Sequence, residues 1–339
     1  MRQLKFLVLT DHRGHSEQNS LYALARTLAA DARTASVRVA SRGDGRNDAF
    51  FAGDLAAAAY GPVVGDRFAF DPTGAQFAGA TECQRYGEAD AVWLRLPPPA
   101  DRSFFARLTT PAPASAPENA PLVFNDPAGI LATGSKAFLR HFPELTAPTR
   151  WVRSATDIRD FAARHPIVLK PLQEYGGRGL VRVAGDTAEA DGQTYALADW
   201  LAASAPDVAA GHYLAMKFLK NVTAGDKRIL VVNGKILGAS LRLPAPGGWL
   251  CNVAQGGRSL PSQPTPAEEA IVATVAPALL ERGVVMFGVD TLADDDGRRV
   301  LSELNTNSVG GFPQAEAQSG RPVLQQTIDG IYDYLYARL

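Results

Sequence analysis

The chain opens on an apolar run, LKFLVLT at 4–10, which stops at Asp11 and gives way to the polar stretch DHRGHSEQN. From Ser20 the period changes. Leu21, Leu24, Ala25 and Leu28 recur at helical spacing, and a second apolar run follows at 36–40. A strand, a helix and a strand in that order predict a β-α-β unit and a parallel sheet. DAVWLRL (90–96) reads as a further strand, ended by Pro97, Pro98 and Pro99, and PLVFN (121–125) as a short one. Between them, the Ala- and Gly-rich segment 54–77 carries no readable period, and PAPASAPENAP (111–121) is a polar, proline-rich loop.

Beyond 126–134 the pattern shifts. SKAFLRHF (135–142) predicts a helix with Ser135 near its start. PIVLKPL (166–172) and GLVRV (179–183) are strands on either side of a glycine turn. ALADWLAASA (196–205) reads as a helix and HYLAMKFL (212–219) as a strand. Two hairpins follow. One turns at Asn233-Gly234 and the other is expected to turn at Asp296-Gly297, each pair lying between apolar runs. A helix is expected over 322–339, and there is no internal repeat or heptad pattern.

The 339 residues exceed one small core and suggest two or three domains. Hydrophobic residues make up 46% and charged residues 20%, with a net charge of −1, so the balance points neither to nucleic acid nor to a membrane surface. No apolar run approaches the ~20 residues of a membrane span. The short run ending at Asp11 reads as a buried strand and not a signal peptide. Cys83 and Cys251 are far apart and form no metal-binding or redox spacing. A reducing, cytoplasmic location is expected.

The glycine turn carries the first candidate chemistry. KPLQEYGGRG (170–179) puts its lysine before its glycines, the reverse of a Walker loop, and Pro171 forbids a helix starting there. The last hairpin carries the second. Counted outward from an Asp296-Gly297 turn, Asp290 falls opposite Glu303, with Cβ atoms roughly 4.5–5.5 Å apart. Asn305 faces the same side. Opposed carboxylates repel unless a cation lies between them, and three oxygen donors on one face suit Mg²⁺.

Other groups are weaker taken singly. Lys136 and Lys170 each read as surface lysines, and Arg228 and Arg242 as ordinary ion-pair partners. Hairpin parity sets Arg242 on the opposite face from Arg228 unless a bulge, at Gly238, intervenes. Asn252, Gly256, Gly257 and Arg258 form a polar glycine loop. No histidine joins a Ser or Cys in a triad pattern, so none is assigned to catalysis. Cys251 reads as incidental.

In chain order, LRLPPP, FNDP, Lys136, VLKPL with its glycine turn, AGDKRILVVNGK, LRLP, NVAQGGR, GVD and ELNTNS resemble the ATP-grasp superfamily, and within it the bacterial glutathione synthetase family. The resemblance implies an α/β ATP-grasp fold. A parallel-sheet pre-ATP-grasp domain over 1–128 would precede a lid over 129–215 and a mixed α/β catalytic domain over 216–339. It implies that the turn at Tyr175, Gly176 and Gly177 closes over the ATP phosphates, which Lys136 and Lys170 also contact. Met216, Lys217, Phe218 and Leu219 would border adenine, with Asp226 near the ribose. Asp290, Glu303 and Asn305 would hold two Mg²⁺ ions, with Mn²⁺ as an alternative. Arg228 and Arg242 would steady the transferring phosphoryl group. Arg95, Asn252, Gly256 and Gly257 would meet the substrate.

The implied reaction is ATP-dependent joining of γ-glutamylcysteine and glycine through an acyl phosphate. Partners would be these small molecules, not nucleic acid or membrane, and self-association is expected. The chain departs from the family at Leu96-Pro97, where lysine and aspartate are common, at Leu250, where arginine is common, and at Val309, within the usual Ser-Pro-Thr stretch. All lie on the substrate side. A ligase for a different amino acid or peptide is therefore the alternative, and a nucleotide-binding protein without turnover a third reading.

Overall fold

The computed structural model describes residues 2–98, 100–109, 120–251 and 256–339. The expected parallel sheet is present. Strands Thr34–Ser41, Leu4–Thr10, Ala91–Arg95 and Leu122–Phe124 lie side by side in that order, all parallel. Strand order reverses beside Leu4–Thr10, so the carboxyl ends that carry Thr10 and Arg95 border a crevice. The helix Ser20–Ala30 buries its Leu21, Leu24 and Leu28 stripe, as its period requires. That stripe shares a core with Phe6, Val8 and, from the far end of the chain, Ile328, Ile331 and Tyr332 of the helix Val323–Tyr336. The two chain ends thus fold as one body.

The middle of the chain forms a six-stranded antiparallel sheet in the order Gln193–Ala196, Thr187–Ala190, Val181–Ala184, Ile167–Pro171, Tyr213–Lys217 and Thr149–Val152. The expected hairpin around the glycine turn is its centre, with Ile167 paired to Val183. Strand Tyr213–Lys217 straddles the expected border at 215–216. The stretch after Ser135 is a 3-10 helix, Lys136–His141, and not an α-helix.

The last third forms a five-stranded antiparallel sheet: Arg258–Ser262, Lys235–Leu243, Asp226–Val232, Met286–Ala293 and Arg299–Asn305. Asn233-Gly234 makes the two-residue turn foreseen, both residues at positive φ (47° and 76°). The second turn differs from expectation. Ala293 pairs with Arg299 and the Asp294 N–H donates to the Arg298 carbonyl at 2.7 Å, so the loop is three residues, Asp295-Asp296-Gly297, with Gly297 at φ 84°. That shifts the register by one residue. A bulge at Ser302 shifts it back, and Asp290 does lie opposite Glu303.

Several helices escaped the sequence reading, among them Ala155–Ala162, Phe312–Ser319 and the longest, Pro266–Leu280. Pro266–Leu280 starts with Thr265 and Glu268 in a capping box and Pro266 at its first position, a signal legible in TPAEE. Asn125 then locks two sheets together. Its amide donates to the carbonyls of Met286 (2.6 Å) and Thr306 (3.0 Å), and its Oδ1 accepts from the N–H groups of Val285 and Met286, both 2.8 Å. All four of its hydrogen-bonding positions are used, so the parallel sheet is held rigidly against the strand that carries Asp290.

Candidate active site

The six- and five-stranded sheets face each other across a cleft of about 780 Å³. Lys136, Lys170, Tyr175, Gly177, Met216, Lys217, Phe218, Leu219, Asp226, Asp290 and Glu303 all border it, which gathers most of the candidates from distant parts of the chain. Lys170 stands on the buried strand Ile167–Pro171, and its Nζ donates to the Ser302 carbonyl (3.1 Å) and hydroxyl (3.0 Å). Burial pushes this ammonium below its usual range, with Glu303 opposing. It is no surface lysine. Ser302 was not singled out in the sequence, and no sequence signal marks it. It faces Lys170 because it is the bulged residue.

Lys136 sits at the start of its 3-10 helix. Its Nζ donates to the Glu174 carbonyl in the glycine turn and lies 3.4 Å from the Glu303 carboxylate. It ties the turn to the five-stranded sheet. Within the turn Gly177 has φ 80° and Gly179 φ 65°, a left-handed backbone that side chains with a Cβ resist. Tyr175 is 38% exposed, with the Arg178 guanidinium 4.1 Å from its ring centre. Of the residues expected to border adenine, Met216 and Leu219 are buried, and Lys217 pairs with Asp295 at 2.7 Å.

The bulge foreseen at Gly238 exists. Leu230 pairs with Gly238 but Val231 pairs with Ile236, which leaves Leu237 extra. Arg242 therefore comes to the same face as Arg228. Arg228 binds Asp290 with two hydrogen bonds, and Arg242 reaches Asp290 at 2.7 Å while gripping Asp226 at 2.6 and 2.7 Å. Burial alone would raise the Asp290 carboxyl, but Arg228 and then Arg242 hold it well below the usual range. Asp226 goes the other way. Burial raises it, Arg242 opposes, and the neighbouring Asp290 charge adds to the rise. The guanidinium groups thus neutralise Asp290 from the side away from Glu303, and Glu303 faces the Lys136 ammonium.

The metal question turns on the remaining oxygens. Among the described residues no group of three His, Cys, Asp or Glu side chains gathers. Asn305 supplies a third oxygen. Its Nδ2 donates to Asp290 at 3.1 Å, which leaves Oδ1 as the free end of the amide. Glu303 is partly exposed to the cleft. Hard oxygens from Glu303, Asn305 and Asp290 on one face fit Mg²⁺, which takes one or two carboxylates and shares its remaining positions with phosphates.

The substrate candidates separate. Arg95 is buried at the crevice of the parallel sheet and outside the cleft lining. Its Nη1 donates to the Val309 carbonyl at 2.9 Å, and its Nε has no partner. Burial lowers this guanidinium to about 10. Gly257 is held where an added Cβ would lie 2.5 Å from the Cys251 carbonyl oxygen, so close packing explains it, while Gly256 is exposed at φ 86°. Neither glycine, nor Gly176, borders the cleft. Asn252 lies outside the described residues. Leu250 does border the cleft, beside Trp249 and Cys251, and brings no charge. Burial raises the Cys251 thiol to about 11, which removes it as a nucleophile.

The chain resembles known proteins along most of its length. Residues 135–320 match the family described as prokaryotic glutathione synthetase, ATP-grasp domain. Glutathione synthetase of Bradyrhizobium diazoefficiens is 33% identical over 234 residues, 69% of this chain and 69% of its own. Among solved structures, D-cycloserine synthetase DcsG superposes with a TM-score of 0.65 at 14% identity, covering 98% of this chain and 99% of that one. The ATP-grasp ligase PsnB, solved with Mg and ADP, superposes at 0.55 and 15% identity, over 97% and 98%. Those two likenesses establish the fold. With the family match covering more than half of its length, the chain belongs to the prokaryotic glutathione synthetases of the ATP-grasp fold.

Proposed function

We propose that this protein is an ATP-dependent carboxylate–amine ligase that joins γ-glutamylcysteine to glycine. The observation that carries the reading is the cleft itself. Two lysines, a glycine turn, an apolar hinge and an Asp–Glu–Asn face, drawn from both sheets, border or adjoin one space. In the first step a carboxylate oxygen attacks the γ-phosphorus of ATP. A C–O–P linkage forms and ADP leaves with the bridging electron pair. In the second step the amine nitrogen attacks the acyl carbon. The C–N bond forms, the C–O bond to phosphate breaks, and the amine's proton leaves with the phosphate.

In this reading Lys136, Lys170 and the turn at Tyr175, Gly176 and Gly177 hold the triphosphate, and Met216 to Leu219 flank the base, with Asp226 toward the ribose. Glu303, Asn305 and Asp290 would hold two Mg²⁺ ions, with Mn²⁺ able to replace them. The metal supplies charge neutralisation and in-line orientation of the phosphates. Arg228 and Arg242 offer fixed positive charge to the developing phosphoryl charge. Arg95, a buried cation with an unused Nε, would meet the peptide substrate, with Asn252 and the Gly256-Gly257 loop nearby.

We also propose three working units close to those expected, with the second ending after Lys217 because Tyr213–Lys217 pairs inside the six-stranded sheet. The protein would act in the cytoplasm on small molecules, not nucleic acid, and self-associate. Among the described residues no helix is long and apolar enough to cross a membrane. One feature favours a second reading, a ligase with a different acyl or amine substrate: Leu250 presents an uncharged wall to the cleft.

A phosphate-release screen across acyl substrates and amines decides. The expected result is release that requires ATP, γ-glutamylcysteine and glycine together. Release with another carboxylate and amine, and none with any γ-glutamyl dipeptide, selects the second reading.

A further inference from the structure

Trp249 ties together the two sheets that form the cleft. It lies in the segment that follows strand Lys235–Leu243 of the five-stranded sheet, and its indole N–H donates to Glu189 Oε1 at 3.0 Å. Glu189 belongs to the six-stranded sheet, on strand Thr187–Ala190, directly opposite Arg182. Arg182 is in turn opposite Val168, which borders the cleft, so this row of side chains runs across the sheet face that looks onto the cleft.

Four side chains close a ring there. The Arg182 guanidinium lies 3.6 Å from Glu189 Oε2 and 4.3 Å from the centre of the Phe218 ring. Phe218 meets the Trp249 ring edge-on, with 5.9 Å between centres. Phe218 and Trp249 both border the cleft. The Arg182 and Glu189 side chains are each 37% exposed, so as an ion pair they add little to stability. Their use is directional. Arg182 takes one carboxylate oxygen and leaves the other aimed at the indole N–H, which is the only donor that side chain has.

Trp249 is also joined to the substrate side. Leu250 and Cys251 follow it along the cleft wall. The Cys251 thiol reaches the Val222 carbonyl at 3.6 Å, and the Cys251 carbonyl oxygen lies where a Cβ on Gly257 would come within 2.5 Å of it. A shift of Trp249 is therefore passed on to Gly257, one of the residues proposed to meet the acyl substrate. A nucleotide seated between the sheets fixes the six-stranded sheet over the five-stranded one, and Glu189 with it.

Resting on the ligase reading above, we infer that Trp249 is a positioning residue that couples the nucleotide side of the cleft to the acyl-substrate side. With nucleotide bound, Glu189 and Phe218 hold the indole, and the indole holds residues 250–251 and Gly257 in the arrangement that receives the acyl substrate. Nucleotide and acyl substrate then tighten each other's binding by the same factor, as linkage demands. The acyl site is thereby complete only when ATP is in place to phosphorylate what it holds.

Titration calorimetry tests this with γ-glutamylcysteine and the ATP analogue AMPPNP with Mg²⁺, which does not transfer its phosphoryl group. In the wild type the Kd for AMPPNP is expected to fall at least about fivefold when γ-glutamylcysteine is saturating. Glu189→Ala removes the acceptor, and Trp249→Phe keeps a ring against Phe218 but removes the donor. Each should bring that factor to within about twofold of unity, the loss of one hydrogen bond to a charged acceptor. Glu189→Gln keeps an acceptor oxygen and should keep part of the coupling. A factor that stays at the wild-type value in Glu189→Ala and Trp249→Phe overturns the inference, also where both affinities have weakened, since Trp249 would then be only a wall of the cleft. So does a wild-type factor of unity. Wild-type protein that binds AMPPNP but no γ-glutamylcysteine overturns the glutathione reading itself, and the inference that rests on it falls with it.

Discussion

Arg228 and Asp290 form a two-pronged pair across neighbouring strands, Nε to Oδ1 at 2.8 Å and Nη2 to Oδ2 at 2.6 Å. The planar fork holds both carboxylate oxygens, so Asp290 cannot rotate. Asn305, bonded to the same carboxylate, is oriented in turn. A lysine would keep the charge but lose the fork. Arg228→Lys is expected to lower kcat about 100-fold, while KM for ATP changes little. Steady-state kinetics at saturating Mg²⁺ measure this, and a kcat within about threefold of wild type would contradict the assigned role.

The oxygen face yields a second prediction. Glu303→Gln and Asn305→Ala should each abolish ligation and leave the circular dichroism spectrum intact, because each withdraws an oxygen from the face proposed for the metal. Near-normal turnover in either variant at high Mg²⁺ would sink the site assignment.

For the glycine turn, amide hydrogen exchange is the informative probe. Residues 175–179 contain three glycines at positive φ, and Tyr175 is exposed. Exchange there should slow on addition of ADP with Mg²⁺. Equal rates with and without nucleotide would remove the turn from the phosphate site.

On the face of the five-stranded sheet opposite Asp290, Glu268 is fully buried. It accepts from Lys227 (2.7 Å), Thr291 (2.6 Å) and the Thr265 backbone (2.8 Å). Removing it strands a buried ammonium. Glu268→Ala should cost about 3–5 kcal/mol and lower Tm by roughly 5–15 °C. A thermal scan showing a fall of less than about 2 °C would mean that water or another group replaces the carboxylate.

Acid sensitivity should have a histidine component. Thr10 donates its hydroxyl to the Arg95 carbonyl, so it accepts from His15 Nε2, and Tyr22 donates to His15 Nδ1. That network holds the neutral ring. Burial first, then Arg95 and His12, lower His15 from 6.5 to about 4, with Asp11 opposing. The unfolded chain therefore takes up this proton before the folded one does. Its contribution is full above pH 6.5 and is lost as pH falls toward 4. His15→Gln should remove about 2 kcal/mol of that pH dependence, read as the difference between the Tm–pH curves of the two proteins. Parallel curves would show that His15 does not titrate differently on folding.

Much of this protein follows from its sequence by local rules. The period of Leu21, Leu24, Ala25 and Leu28 determines a helix and the face it buries. Asn233-Gly234 determines a two-residue turn, because both positions need positive φ. Ordered motifs determine the family. Tertiary structure decided the rest. Asp290 meets Glu303 because a three-residue loop and a bulge at Ser302 offset each other, and Arg242 joins Arg228 because Leu237 is extra. A bulge leaves the apolar pattern of its strand readable on both sides. Its position depends on how neighbouring strands and helices pack against the sheet. Lys170 reads as a surface lysine until a second sheet covers it with Ser302. Local sequence sets the dihedral preferences and burial period of each element. The charges and orphaned polar groups that do chemistry arise only where elements distant in sequence exclude water together.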